Sequence, residues 1–304
     1  MIKNIKIIKN FNQRLDKYLK LEYTSLTQGF IEKNIRKKNI LINNSSTKAN
    51  YQVKLNDQLK ILNFHETLYK NKIIFKKNIK ISKEILAKFK KSAIFENNDF
   101  IVLNKWSQLA TQGGSRIKIS VDHIIKNISS QYRLVHRLDK ETSGLLLIAK
   151  NLNYAKKLSS LFKKKEITKL YIALCEGIPK NHSSQVKLEI RNKKLKTKNT
   201  LTNYKVINKN KSISSLLFSP QTGKTHQLRI VSKNLGCPIV GDNKYNLHSK
   251  YSKQSLMLHA FALKFTINKQ KFEFISNLPD YYLNFIKKND LKIYKDLKNY
   301  LNIF

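Results

Sequence analysis

The sequence has only two cysteines among its 304 residues, Cys175 and Cys237. They build no disulfide framework and do not stand at zinc-ligand spacing, which excludes a cysteine-stapled secreted fold and a thiolate zinc site and fits a reducing cytoplasm. Acids are scarce as well: 19 stand against 60 lysines and arginines, for a formal net charge of +41. That imbalance creates a positive potential that polyanions neutralise, so RNA, DNA and anionic membrane are the partners to weigh. Part of the excess belongs to a general enrichment in Lys, Asn and Ile, and any single lysine is by default a solvated charge. Long apolar runs are missing, and none approaches the roughly 20 residues of a membrane span. The first residues combine lysines and isoleucines with no apolar core or small-residue cleavage site, so a soluble, cytoplasmic protein with no membrane partner is expected. No repeat period is visible. His65, His123, His182, His248 and His259 are scattered without ligand spacing, and Gln112-Gly-Gly-Ser115 lacks the lysine and helix register of a phosphate loop. No metal, ATP or dinucleotide cofactor is expected.

What is present is enough apolar residue, 41%, to bury a core in one large domain or two smaller ones. Leu15, Tyr18 and Leu19 have helical spacing. After a break near Ser25, a second helix carries Phe30, Ile31 and Ile35 on one side and gathers Lys33, Arg36, Lys37 and Lys38 at its end. With short strands at Ile40–Ile42 and Gln58–Leu62 this predicts a compact unit over 12–63 whose basic helix end can meet phosphates. The ordinary alternative is a solvated helix end favoured by the dipole, and the pattern alone does not decide between them. Residues 64–92 lack a period, are crossed by Lys76-Lys77 and Lys90-Lys91, and read as a linker. A second domain is expected over 93–304. It has strands near Ile101–Leu103, Leu145–Ala149, Leu170–Cys175, Leu201–Val206, Ile213–Phe218, Leu256–Thr266 and Phe272–Ile275. Helices are expected at Ser120–Ile128, Asn151–Lys165 and Thr225–Asn234, with further helical segments after Pro279. Runs of strands with isolated helices favour an α+β class.

The stretch Arg133-Leu-Val-His-Arg-Leu-Asp-Lys-Glu-Thr-Ser-Gly-Leu-Leu-Leu-Ile-Ala149 places one carboxylate, Asp139, among basic residues at the edge of an apolar strand. A loop aspartate is by default a turn or cap residue. Here His136, Arg137 and Lys140 favour the ionised form that nucleophilic attack requires, and Thr142-Ser-Gly144 leads into a rigid strand.

His136 to Ala149 closely resembles the signature of the RluA-type pseudouridine synthases, most like their RluC and RluD large-subunit rRNA branch, and Asp139 matches that family's catalytic aspartate. Lys169-Leu-Tyr-Ile-Ala173 with Glu176-Gly177 resembles the second motif, and Tyr171 matches the active-site tyrosine. Thr222-Gly-Lys-Thr-His-Gln-Leu-Arg-Ile230 resembles the third, where Arg229 matches the basic residue that pairs with the catalytic carboxylate. Leu235 to Asp242 and Leu258-His-Ala260 extend the likeness, and 12–63 is similar to the S4-like RNA-binding domain often found ahead of the catalytic domain. Three positions depart from the pattern. Lys224 stands where Arg is common and loses a bidentate fork, Val231 replaces a frequent His, and Lys38-Asn39 replace a Gly-containing turn.

The resemblance implies a catalytic domain with a central mixed, largely antiparallel sheet flanked by helices, and isomerisation of uridine within RNA without a cofactor. Asp139 would attack or stabilise the reacting nucleoside, Arg229 would keep it charged and oriented, and Tyr171 would pack on the flipped base and assist proton removal at C5. Arg137 would occupy the space of the extruded nucleotide. Lys33, Arg36, Lys37, Lys38 and Lys224 are the other candidate RNA contacts, and structural hydrogen-bonding roles are expected for His226 and Gln227. Taken alone, Tyr171 reads as a core aromatic and Arg229 as a surface ion pair. The expected partner is RNA, 23S rRNA or a large-subunit assembly intermediate, met by a monomer. An RluD-like rRNA enzyme, a tRNA enzyme and a non-catalytic ribosome-assembly factor remain as alternatives.

Overall fold

The computed structural model describes residues 1–8, 13–71, 81–114, 117–191, 197–292 and 297–304. Lys76-Lys77 of the expected linker and Ser115 of the expected turn lie outside the described residues. The chain forms two compact units, 1–78 and 79–304.

The first unit contains β1 (Lys3–Lys6), α1 (Leu15–Glu22), α2 (Gln28–Arg36), β2 (Ile40–Ile42), β3 (Ser45–Ser46) and β4 (Gln58–Ile61). Its sheet has the order β1-β4-β2-β3 and is antiparallel throughout. Thr27 caps α2 by accepting the Phe30 N–H, and the helix then buries Ile31 and Ile35 against Leu15, Leu19, Leu59 and Ile61. The unit extends past both ends of the expected 12–63. β1 pairs along β4, and Phe64 and Tyr69 sit in the same core. β1 is Lys-Asn-Ile-Lys, where the single apolar Ile5 gives no alternation to read, and Phe64 and Tyr69 at the start of the expected linker depend on a remote partner, Tyr23. At the end of α2 it is Lys38, not Asn39, that turns left-handed, at φ 57°. The Lys38 and Asn39 amides bond back to Ile35 and Asn34, which closes the helix as a C-terminal cap.

The second unit begins inside the expected linker with α3 (Lys83–Lys91). Ser82 caps it, and Phe89 is driven into a core with Ile101, Leu103 and Leu146. Lysine crowding obscured the spacing of Ile85, Leu86 and Phe89. There follow β5 (Ala93–Glu96), β6 (Phe100–Lys105), α4 (Val121–Ile128), β7 (Arg133–Leu134), β8 (Ser143–Ala149), α5 (Leu152–Lys164) and β9 (Thr168–Glu176). Then come β10 (Ser183–Arg191), β11 (Thr197–Lys209), β12 (Ile213–Pro220), α6 (Gln227–Asn234), β13 (Leu258–Ile267), β14 (Gln270–Ile275) and α7 (Asp280–Lys288). The sheet order is β10-β11-β12-β9-β13-β8-β6-β5, with β14 on β13 and β7 on β8.

β8 is the hinge of this architecture. Alternate side chains reach opposite faces of a strand, so Leu145 and Leu147 pack with Ala155 and Leu158 of α5, while Leu146 and Ile148 pack with Ile124 and Ile125 of α4. Helices on both faces explain a wholly apolar run. The two halves of the sheet meet where β13 runs parallel to β8 at Ser143 and Gly144, all other pairings being antiparallel. Gly144 has φ 109°, and a Cβ there would fall 2.2 Å from the Ala260 carbonyl oxygen, so only glycine permits the junction. Buried His259 reinforces it by bonding Ser143 Oγ at 2.8 Å and Ser276 Oγ at 2.9 Å.

Candidate active site

The β7–β8 connection, the face of β9 and the start of α6 converge on a cavity of about 480 Å³ lined by Asp139, Tyr171, Arg229, His226, Arg137 and Lys224 among others. Asp139, Tyr171 and Arg229, each more than thirty residues from the next in sequence, therefore share one site.

The Asp139 backbone is held by the loop that leaves β6. Thr111 Oγ1 donates to the Leu138 carbonyl at 2.7 Å and accepts the Leu138 N–H at 3.1 Å, while Ser107 Oγ donates to the Glu141 carbonyl at 2.7 Å. Between them the Lys105 ammonium donates to the carbonyls of Leu109 at 2.9 Å, Trp106 at 3.1 Å and Lys140 at 3.3 Å. Lys105 is fully buried, and its burial pushes its pKa down to about 7, against the pull of Glu141 and Asp139. Nothing in the sequence set this lysine apart from its neighbours. Between pH 7 and the ordinary lysine value, the unfolded chain binds a proton that the folded chain does not. Folding stability should therefore rise with pH across that window by up to about 1.4 kcal/mol per pH unit, and the slope should vanish below it. Urea unfolding at successive pH values should show wild type gaining on Lys105→Met through this range. Parallel curves would contradict the assignment.

His136 is not a cation beside Asp139. Its Nε2 accepts the Leu147 N–H at 2.8 Å, its ring stacks on Phe162 at 4.4 Å, and burial, with Lys169, drives its pKa down to about 3. It fills a gap in the β8 ladder as a neutral acceptor. Arg137 is exposed at the cavity, and Lys224 is half-buried there.

Arg229 reaches a different carboxylate from the expected one. Its guanidinium forks onto Asp242, with Nε to Oδ2 at 2.8 Å and NH2 to Oδ1 at 2.7 Å, while NH1 lies 3.5 Å from Glu141 Oε2. Asp242 has no side-chain exposure and accepts the amides of Lys244 and Tyr245, so it has the greater need of a counter-charge than the partly open Asp139. Burial works against the Arg229 charge, but the Asp242 bonds, helped by Glu141 and Asp139, more than offset it and raise the pKa. Asp242 is shifted down by the same pair, against its own burial. Among the described residues Arg229 makes no hydrogen bond or ion pair to Asp139, although both line the cavity.

The base nearest Asp139 is His226, with Nε2 3.9 Å from Oδ2. His226 takes a left-handed conformation, φ 56°, ahead of α6, which starts that helix two residues later than Thr225 and turns the ring toward Tyr245, whose hydroxyl lies 3.0 Å from Nδ1. Burial lowers its pKa, Asp139 opposes, and Arg229 and Lys244 add to the lowering. Gln227 is structural: it accepts from Thr222 and the Lys224 amide and donates to Leu201 and Thr202. Tyr171 is pushed well above the usual phenol value, by burial first and by the Asp139 carboxylate second. It is a neutral phenol at physiological pH, which disfavours proton removal by a phenolate.

Lys33, Arg36, Lys37 and Lys38 are all exposed at the end of α2 in the first unit. Among the described residues no cluster of three or more His, Cys, Asp or Glu is placed to hold a metal, and no helix is long and apolar enough to cross a membrane. Lys105, Ser107 and Thr111 carry no mark in the sequence, nor do Asp242 and Tyr245 as partners of the third motif; Asp242 ends the Leu235–Asp242 likeness, but its role needed the fold.

Residues 99–234 match the family described as RNA pseudouridylate synthase. A Rickettsia prowazekii protein named ribosomal large subunit pseudouridine synthase C is 40% identical over 295 residues, covering 88% of this chain and 95% of its own. A protein of the same name from Buchnera aphidicola is 30% identical over 299 residues, covering 91% and 93%. Among solved structures, human RNA pseudouridylate synthase domain containing 4 superposes with TM-score 0.61 at 22% identity, covering 69% of this chain and 97% of that one. The human domain containing 1 protein gives 0.57 at 26%, covering 69% and 92%. With Asp139, Tyr171 and Arg229 around one cavity and these relatives along most of its length, the chain belongs to the RluA-type RNA pseudouridine synthases.

Proposed function

We propose that this isomerase converts specific uridines to pseudouridine in 23S rRNA. The observation that carries the reading is the meeting of Asp139, Tyr171 and Arg229 at one cavity, in a chain whose relatives are named for the large ribosomal subunit. In the reaction the C1′–N1 bond breaks, uracil turns while held, and a C1′–C5 bond forms; the C5 proton leaves and N1 gains one, so the atoms balance with no redox step. Asp139 is positioned to attack or to stabilise the reacting nucleoside, with its backbone fixed by Thr111, Lys105 and Ser107. Tyr171 offers a neutral ring for the everted base, and its raised pKa favours packing over a base role. Arg229, locked by Asp242, supplies a fixed positive potential, and exposed Arg137 is placed to stack in the gap left by the nucleotide.

The first unit fits an S4-like RNA-binding domain that presents Lys33, Arg36, Lys37 and Lys38 to phosphates, with Lys224 serving at the cavity. Its extent is best drawn from Lys3 to Tyr69, with the catalytic domain starting at α3. The protein is proposed to act as a cytoplasmic monomer. Mapping pseudouridines in RNA from cells lacking the protein tests the substrate. Uridines in large-subunit rRNA should lose modification while tRNA is unchanged; the reverse pattern would move the substrate to tRNA.

A further inference from the structure

Six side chains lining the cavity are cationic, Arg137, Lys163, Lys165, Lys169, Lys224 and Arg229, and the one acid in its lining is Asp139. Arg229 already has a carboxylate partner in Asp242. The remainder is a surplus of positive charge around a space the size of a nucleotide.

Lys169 is the member that is most costly to keep. It stands on β9 two residues before Tyr171, so both side chains leave the same face of the strand while Leu170 enters the core. Among the described residues its ammonium finds one hydrogen-bond acceptor, the Ile167 carbonyl at 3.2 Å, and no carboxylate within ion-pair reach. Burial and the neighbouring Lys165 both push its pKa down. Lys165 is itself held in a left-handed conformation, φ 64°, at the end of α5, a position that favours glycine and that turns this side chain to the cavity. Two lysines are thus brought together, one mostly out of water, with no carboxylate within ion-pair distance of either among the described residues. An ammonium has three donors and calls for an anion when desolvated.

We infer that Lys169, with Lys165 beside it, holds a backbone phosphate of the RNA next to the everted nucleotide at Tyr171. The inference rests on the proposed RNA substrate and adds the group that this side of the cavity grips. Phosphate supplies the missing acceptors and counter-charge, and its place on the strand that carries Tyr171 ties backbone position to base position. Lys165 and Lys169 would together contribute sequence-independent affinity.

Binding of a short fluorescent oligouridylate by the full-length protein, titrated with KCl, tests this. Lys169→Met should weaken binding about tenfold and flatten the slope of log Kd against log salt by about 0.7, one single-strand contact, whereas Lys169→Arg should keep both. Having lost an unpaired buried charge, Lys169→Met should melt at or above the wild-type temperature. A wild-type slope and affinity in Lys169→Met would overturn the assignment at any melting temperature, and a lowered one would make the lysine structural. Tritium release from C5-labelled uridine in RNA, measured on the same wild-type preparation, separates the two readings. Release with an unchanged slope removes only the phosphate contact; a flattened slope with no release keeps the contact and removes the isomerase.

Discussion

Asp139→Asn should abolish release of tritium from C5-labelled uridine, by on the order of 10⁴-fold or more, as loss of a group that acts directly on the reacting bond does. The amide matches the carboxylate in size, so the turn held by Thr111, Lys105 and Ser107 has no reason to move. It removes the one acidic group lining a cavity of cations, and RNA affinity should be unchanged or higher. A variant that binds RNA and melts like wild type but releases nothing would locate the loss in chemistry. Release at the wild-type rate would remove Asp139 from the mechanism.

Asp242→Ala should be the most destabilising single change at the site. It strands the buried Arg229 guanidinium with Glu141 as its remaining ion-pair partner, at 3.5 Å. Breaking one side of a buried pair costs about 3–5 kcal/mol, whereas exchanging both partners for apolar residues is often close to neutral. For a unit of this size the cost corresponds to a fall in Tm of roughly 10 °C. The double variant Arg229→Met with Asp242→Leu should recover most of that stability and yet remain slow, on the order of 10²-fold below wild type, because the fixed charge beside Asp139 is gone. Thermal melts and tritium release on the same samples check both halves. If the double variant regained activity along with stability, Arg229 would be a packing residue alone.

How much of this was legible follows from the kind of signal each residue carries. Asp139 was visible because its neighbours from His136 to Ala149 are contiguous, and β8 because helices cover both its faces and leave no polar position in the run. Tyr171 and Arg229 were visible through short local motifs. The partner of Arg229 was not, since a sequence announces a guanidinium without saying which carboxylate will be buried against it, and Asp242 lies thirteen residues on. Lys105 was hidden among the other lysines, and burial alone distinguishes it. α3 was lost to its lysines and β1 to the polar residues on either side of Ile5, whereas β10, with exposed residues through much of its length, is a strand only because β11 pairs with all nine of its residues.

The reaction is measured most directly with only the purified protein and a large-subunit rRNA transcript carrying tritium at C5 of uridine, with no nucleotide cofactor added. Tritium should enter solvent in step with the appearance of pseudouridine, one for one, and stop when the target positions are converted. Retention of the label in RNA that the protein demonstrably binds would contradict the account at its centre.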